Sequence, residues 1–101
     1  MWICLNDAYF SIVASDVDTS VLNVRARRAG DLEKYFPGTE VHRWRNRDYA
    51  YRAFVPRTQV AEVIGQSLSS IAYTNFKNSV EDTQLHDAYL DVWASLANLQ
   101  R

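Results

Sequence analysis

Apolar and polar positions alternate with a period of two through most of the first half of the chain, which predicts strands there. Residues 1–5 (MWICL) are rich in β-formers and read as a short strand. Asn6-Asp7 is turn-like, and residues 8–14 (AYFSIVA) resume an extended run, so the two form a hairpin. In the second strand Phe10, Ile12 and Ala14 share one face and Tyr9, Ser11 and Val13 the other. Both faces are fairly apolar, which places this strand inside a sheet. Residues 15–20 (SDVDTS) are a polar loop. Its two aspartates resemble the start of a calcium loop, but the glycine and closing glutamate such a loop needs are missing.

Residues 21–28 (VLNVRARR) form the third expected strand, with Leu22, Val24 and Ala26 inward and Asn23, Arg25 and Arg27 outward. Gly30-Asp31 then opens a short helix to about Tyr35, with Asp31 as its expected N-cap, and Pro37-Gly38 stops it. Residues 39–45 and 49–55 read as a second hairpin across Asn46-Arg47-Asp48. There His42 and Trp44 oppose Val41, Arg43 and Arg45, while Tyr49, Tyr51, Ala53 and Val55 oppose Ala50, Arg52 and Phe54.

After Pro56 the period changes to that of a helix. Thr58 is the expected cap of a helix running to about Ser69, with Val60, Val63, Ile64 and Leu68 on one stripe. Residues 71–80 make a connector anchored by Tyr73 and Phe76. Ser79 or Asp82 caps the last helix, where Leu85, Ala88, Tyr89, Val92, Leu96 and Leu99 recur at spacings of three and four, flanked by Trp93. The expected order is β-β-β-α-β-β-α-α. The fold class is α+β: one domain over residues 1–101, a mainly antiparallel five-stranded sheet, and helices packed on one face.

Composition narrows this little. The chain is 48% hydrophobic and 23% charged, which fits a folded globule and argues against disorder. Cys4 is the only cysteine and sits in an apolar run, as expected of a small buried residue in a reducing cytoplasm. No targeting signal or bilayer-length apolar run is present, so a cytoplasmic protein is expected.

Charge changes the picture more. The net charge is −1, yet residues 25–57 hold nine Arg or Lys against Asp31, Glu33, Glu40 and Asp48, while both flanks are acidic. If the outward faces align, Arg25, Arg27, Arg43, Arg45 and Arg52 form one basic patch beside Tyr49 and Tyr51. Guanidinium forks suit phosphate and carboxylate, and exposed tyrosines stack on bases. The plainer reading pairs these arginines with the acidic segments. Tyr73, Phe76, Tyr89 and Trp93 are core aromatics or, where exposed, anchors for a protein partner. His86-Asp87 has the form of a metal-hydrolase pair, but His42 is the only other histidine. No nucleophile elbow or phosphate-cradling glycine loop is present, and no cofactor is called for.

The opening MWICLN, the segment VRARRAGDLEKYFP and the run NFKNSVEDTQLHDAYLDVW together resemble a group of small bacterial and bacteriophage-type proteins of about this length. The resemblance covers most of the chain and is most specific in the C-terminal run. It carries no assigned catalytic residues, so none is transferred. Small phage-type proteins are often binders that modulate a host machine, inhibitors of CRISPR defence complexes (anti-CRISPR proteins) among them.

The leading expectation is therefore a non-enzymatic binder of a protein or ribonucleoprotein, with self-association into a homodimer. A nucleic-acid-binding domain using the arginine face is the alternative, and a small metal-dependent hydrolase the second alternative. The expected binding residues are Arg25, Arg27, Arg43, Arg45, Tyr49, Tyr51, Arg52, Tyr73, Phe76 and Trp93.

Overall fold

The computed structural model describes residues 1–100. Five antiparallel strands form one sheet: β1 (Trp2–Cys4), β2 (Tyr9–Ala14), β3 (Val21–Ala26), β4 (His42–Arg43) and β5 (Tyr51–Pro56). Their order across the sheet is β1-β2-β3-β5-β4. Four helical segments complete the fold: α1 (Asp31–Tyr35), α2 (Arg57–Ser69), α3 (Phe76–Ser79) and α4 (Thr83–Ala97). The α+β class and the five-stranded antiparallel sheet are those the alternation predicts. The order gains one helical turn, α3, inside the expected connector, where the Asn75 side chain accepts the Asn78 N–H at 3.1 Å.

Directly paired residues on antiparallel strands project to the same side. The row Ile12, Val24, Ala53 therefore shares a face with Phe10, Ala26 and Val55. All are buried, and Leu32 and Phe36 from the α1 region and Val60 from α2 join them, with Val63 and Ile64 packed alongside. Leu68, placed on the α2 stripe by its spacing, is exposed.

The other face begins with a continuous row through four pairings: Trp2, Ser11, Arg25, Arg52 and His42. Val13, Asn23 and Phe54 make a second row beside it. No helix covers the β3-β5-β4 part of this face. At its β1-β2 corner, Leu85 and Tyr89 of α4 and Val80 pack against Cys4 and Tyr9. Thus α1 and α2 form the helical layer on one side, and α4 reaches round to the other.

Several local details differ from expectation, each for a visible reason. Asp31 does not cap α1. The cap is Gly30, whose φ of 92° lies in the left-handed region that favours glycine. Asp31 is instead buried in the first turn, and Arg28 Nε lies 3.6 Å from its carboxylate. Thr58 does not cap α2 either. β5 runs straight into that helix through Pro56, and Arg57 ties the junction to the 15–20 loop by donating to Thr19 O (2.6 Å) and Ser20 O (3.0 Å).

The second hairpin is shorter than the β-rich run suggests. β4 keeps two residues: after a last cross-strand bond from Trp44 N–H to Ala50 O (2.8 Å), Arg47 N–H donates back to Trp44 O (3.4 Å) and the chain turns. That turn breaks the alternation, so Tyr49 and Tyr51 do not share a face.

Of the two candidate caps for α4, Asp82 is used: its carboxylate accepts the Leu85 N–H at 2.9 Å. That bond, opposed by desolvation and aided by Arg28 at 3.1 Å, holds the Asp82 carboxyl below its ordinary range. The Tyr89 hydroxyl then pins the helix to the β1-β2 turn, 2.9 Å from both Leu5 O and Ala8 O. Burial raises the Tyr89 phenol well above the ordinary tyrosine value, so it stays a donor. Tyr89→Phe removes this tie and is expected to cost about 1–2 kcal/mol. A lower urea midpoint at unchanged slope measures it, and an unchanged midpoint refutes the tie.

Candidate functional site

The open sheet face concentrates the cationic residues, and few acids come near them. Arg25 and Arg27 both lie over the Tyr49 ring, with guanidinium carbons 4.6 and 4.3 Å from its centre. Arg25 also donates to Ser11 Oγ at 2.7 Å, and Arg27 to Asp48 O at 2.8 Å. The Tyr49 hydroxyl interacts in turn with Tyr9, Ser11 and Arg27. Burial pushes its phenol up, but those contacts and the Arg27 charge outweigh it and leave it below the ordinary value. This network explains why Ser11 is buried on a face that alternation alone marks as outward.

Next to it, Arg52 lies flat on Trp44, 4.2 Å from the ring centre, and Arg47 stands 5.7 Å from the same ring. His42 sits 6.5 Å from Trp44 and 6.1 Å from Phe54. Trp44 and Phe54 are both exposed. Arg52 is only 9% exposed, and one of its nitrogens donates to Tyr49 O at 3.3 Å. Its Nε and the neighbouring Asn23 Oδ1 are shielded and meet no hydrogen-bond partner among the described residues. Burial, then the charges of Arg25 and Arg47, make protonated Arg52 less favoured than an ordinary arginine.

Among the described residues, no carboxylate comes within 4.0 Å of Arg25, Arg27, Arg43, Arg45, Arg47 or Arg52. Arg28 alone of the basic cluster is ion-paired, to Asp31 and Asp82. Among the described residues, neutralisation by the acidic flanks thus reaches Arg28 alone, through Asp82.

The predicted binding residues separate into four places. Arg25, Arg27, Tyr49 and Arg52 come together on the open face. Arg43 pairs across the sheet with Tyr51, on the side of the helical layer, and its guanidinium lies 5.7 Å from that ring. Arg45 is exposed in the turn after β4. Tyr73, Phe76 and Trp93 belong to a separate region beside α4. There Tyr73 and Phe76 lie 5.7 Å apart, Phe76 and Tyr89 5.4 Å, and Lys77 Nζ is 4.8 Å above Trp93.

Sequence reasoning passed over Trp44, Phe54, Asn23, Ser11 and Arg47 as site residues. The outward register of Trp44 and Phe54 was the usable signal for two of them.

His86 and Asp87 are 3.7 Å apart. Among the described residues no three His, Cys, Asp or Glu side chains gather to hold a metal ion. Cys4 is a free, half-buried thiol whose pKa is raised by burial. No helix of the described residues is long and apolar enough to cross a membrane. No protein-family model, curated protein sequence or solved structure matches the chain.

Proposed function

We propose that the protein is a non-enzymatic binding module whose open sheet face takes a single-stranded nucleic acid. The observation that carries this reading is the set of arginines without carboxylate partners around an exposed Trp44, with the buried Arg52 Nε left unpaired. Guanidinium groups without a carboxylate partner keep charge-assisted donors for an anion, and an anion above the face also offsets the cost of the shielded Arg52 charge. Phosphates supply the anion, and unstacked bases supply flat π-faces for Trp44, Phe54 and His42. A duplex hides its bases and fits this pairing of features less well.

An acidic protein surface, such as a host machine that a phage-type modulator would engage, offers carboxylates but not stackable rings. The experiment is fluorescence anisotropy with a labelled single-stranded oligonucleotide, a duplex of the same sequence and poly-glutamate, across a salt series. The single strand is expected to bind best, with affinity falling steeply as salt rises, by about −0.7 in log–log slope per phosphate engaged. Arg43→Ala, on the other side of the sheet, is expected to leave binding unchanged. No binding even at low salt overturns the proposal, and preferential binding of poly-glutamate replaces it with an acidic protein partner.

A further inference from the structure

Apolar residues on α4 and just beyond it fall at positions 85, 89, 92, 96 and 99, a strict alternation of four and three. Over about two heptads, with Leu99 just past the end of the helix, that spacing makes an apolar stripe of the kind along which two helices pair. The domain uses only the first part of it. Leu85 and Tyr89 are buried, whereas Val92 is 45%, Leu96 58% and Leu99 82% exposed, and Trp93 on the flank is 56% exposed. Grooves of about 410 and 430 Å³ run along opposite sides of the helix and share Cys4, Tyr89 and Val92 in their walls. The C-terminal half of α4 therefore stands off the body with its seam open.

The surface area agrees. The chain exposes 7072 Å². A folded monomer of its 11.6 kDa mass exposes about 5,800 Å² on the usual scaling, an excess of roughly 1,200 Å². A standard protein–protein interface removes about 800 Å² from each partner. One copy thus carries enough spare surface for a stable two-fold contact.

The charge pattern favours a second copy as the occupant. In the register set by residues 85 to 99, the positions flanking the seam are His86, Ala88, Trp93, Ser95 and Gln100. None is itself a carboxylate, Lys or Arg, and the charges beside them are Lys77, 4.8 Å from the Trp93 ring, and Asp87, 3.7 Å from His86. The aspartates of the helix, Asp87 and Asp91, fall outside the flanking positions. We propose that Val92, Leu96 and Leu99 are a homodimerisation seam on which a second copy lays the same segment about a two-fold axis, with Trp93 closing the flank. The arginine face lies toward the β3-β5-β4 side of the sheet, so the dimer would present two such faces. The inference does not depend on what those faces bind.

The test is mass by light scattering on the full chain, without nucleic acid, over a micromolar dilution series. Twice the 11.6 kDa chain mass is expected, falling toward the single mass on dilution. Leu96→Asp should give a folded monomer by circular dichroism. Leu96→Ala, which keeps helix propensity, should raise the dimer dissociation constant at least tenfold even if the aspartate variant fails to fold. Asp91→Ala should leave the dimer intact. A wild-type chain that is monomeric throughout overturns the proposal, whether or not it then binds a foreign helix or lipid vesicles. A dimer indifferent to Leu96→Ala overturns it as well.

Discussion

Phe10→Ala is expected to destabilise the domain by about 3–5 kcal/mol, the usual cost of emptying a buried aromatic site. Phe10 is fully buried near the start of β2, paired with Ile3 on β1. Its ring meets Tyr35 edge-on at 5.7 Å and Phe36 at 5.9 Å, so one side chain joins the sheet to the α1 region. Truncation leaves a cavity that neither partner fills without moving, because Tyr35 is held by its hydroxyl contact with Asp7 and Phe36 follows α1 directly. A domain of this size has only about 5–15 kcal/mol of stability in total, so the variant loses a large fraction of it. Urea titration followed by tryptophan fluorescence reads the loss. Phe10→Leu, which retains most of the volume, should cost clearly less. A loss below about 1 kcal/mol for the alanine variant would mean that the core is assembled differently from the one described.

Phe10 also shows how far alternation can be trusted. Its face was assigned from period two, and the same rule correctly divided β3 into Leu22, Val24 and Ala26 against Asn23, Arg25 and Arg27. Strand pairing is strongly specified where one face is buried, so the pattern carries the information. It fails where a turn resets the phase. Tyr49 and Tyr51 are two apart, yet the bend between Trp44 and Ala50 sends Tyr49 to the arginines and leaves Tyr51 beside Arg43. Asn46-Arg47-Asp48 marks the turn but not its extent: pairing starts only at Arg43 and Tyr51, which leaves Tyr49 inside the turn.

The caps of α1 and α2 were misplaced for a related reason. Asp31 and Thr58 are good capping residues by type. Gly30 takes the cap position of α1 through its positive φ, and Pro56 precedes α2 because β5 enters the helix without a loop. On α4 the periodicity was legible over its whole length, but a pattern shows that a face is apolar without showing what covers it. The acidic flanks show the same limit: composition permitted neutralisation, and among the described residues only Arg28 received it, through Asp82. Arg52 was read as an outward, solvated arginine, and its burial under Trp44 depends on a contact between different strands that no local signal encodes.

That contact leads to the sharpest test of the proposed site. Trp44→Ala is expected to weaken single-strand binding roughly 5- to 150-fold, the effect of losing one stacking platform. Stacking releases no counterions, so the salt slope should stay near its wild-type value. Arg25→Ala with Arg27→Ala should act in the opposite sense, making the slope shallower as phosphate contacts are lost. The two variants thus separate the π and charge contributions of one surface. Trp44 also supports Arg52 at 4.2 Å, so its removal frees a buried guanidinium as well as a ring. Trp44→Phe controls for this: it keeps a flat support for Arg52 and should recover much of the affinity. If Trp44→Ala instead flattens the slope and Trp44→Phe recovers nothing, the ring serves only to place Arg52. The site would then be a charge cluster without base stacking. If Trp44→Ala weakens poly-glutamate as much as the oligonucleotide, the surface does not distinguish bases from carboxylates, and the nucleic-acid reading fails in favour of an acidic protein partner.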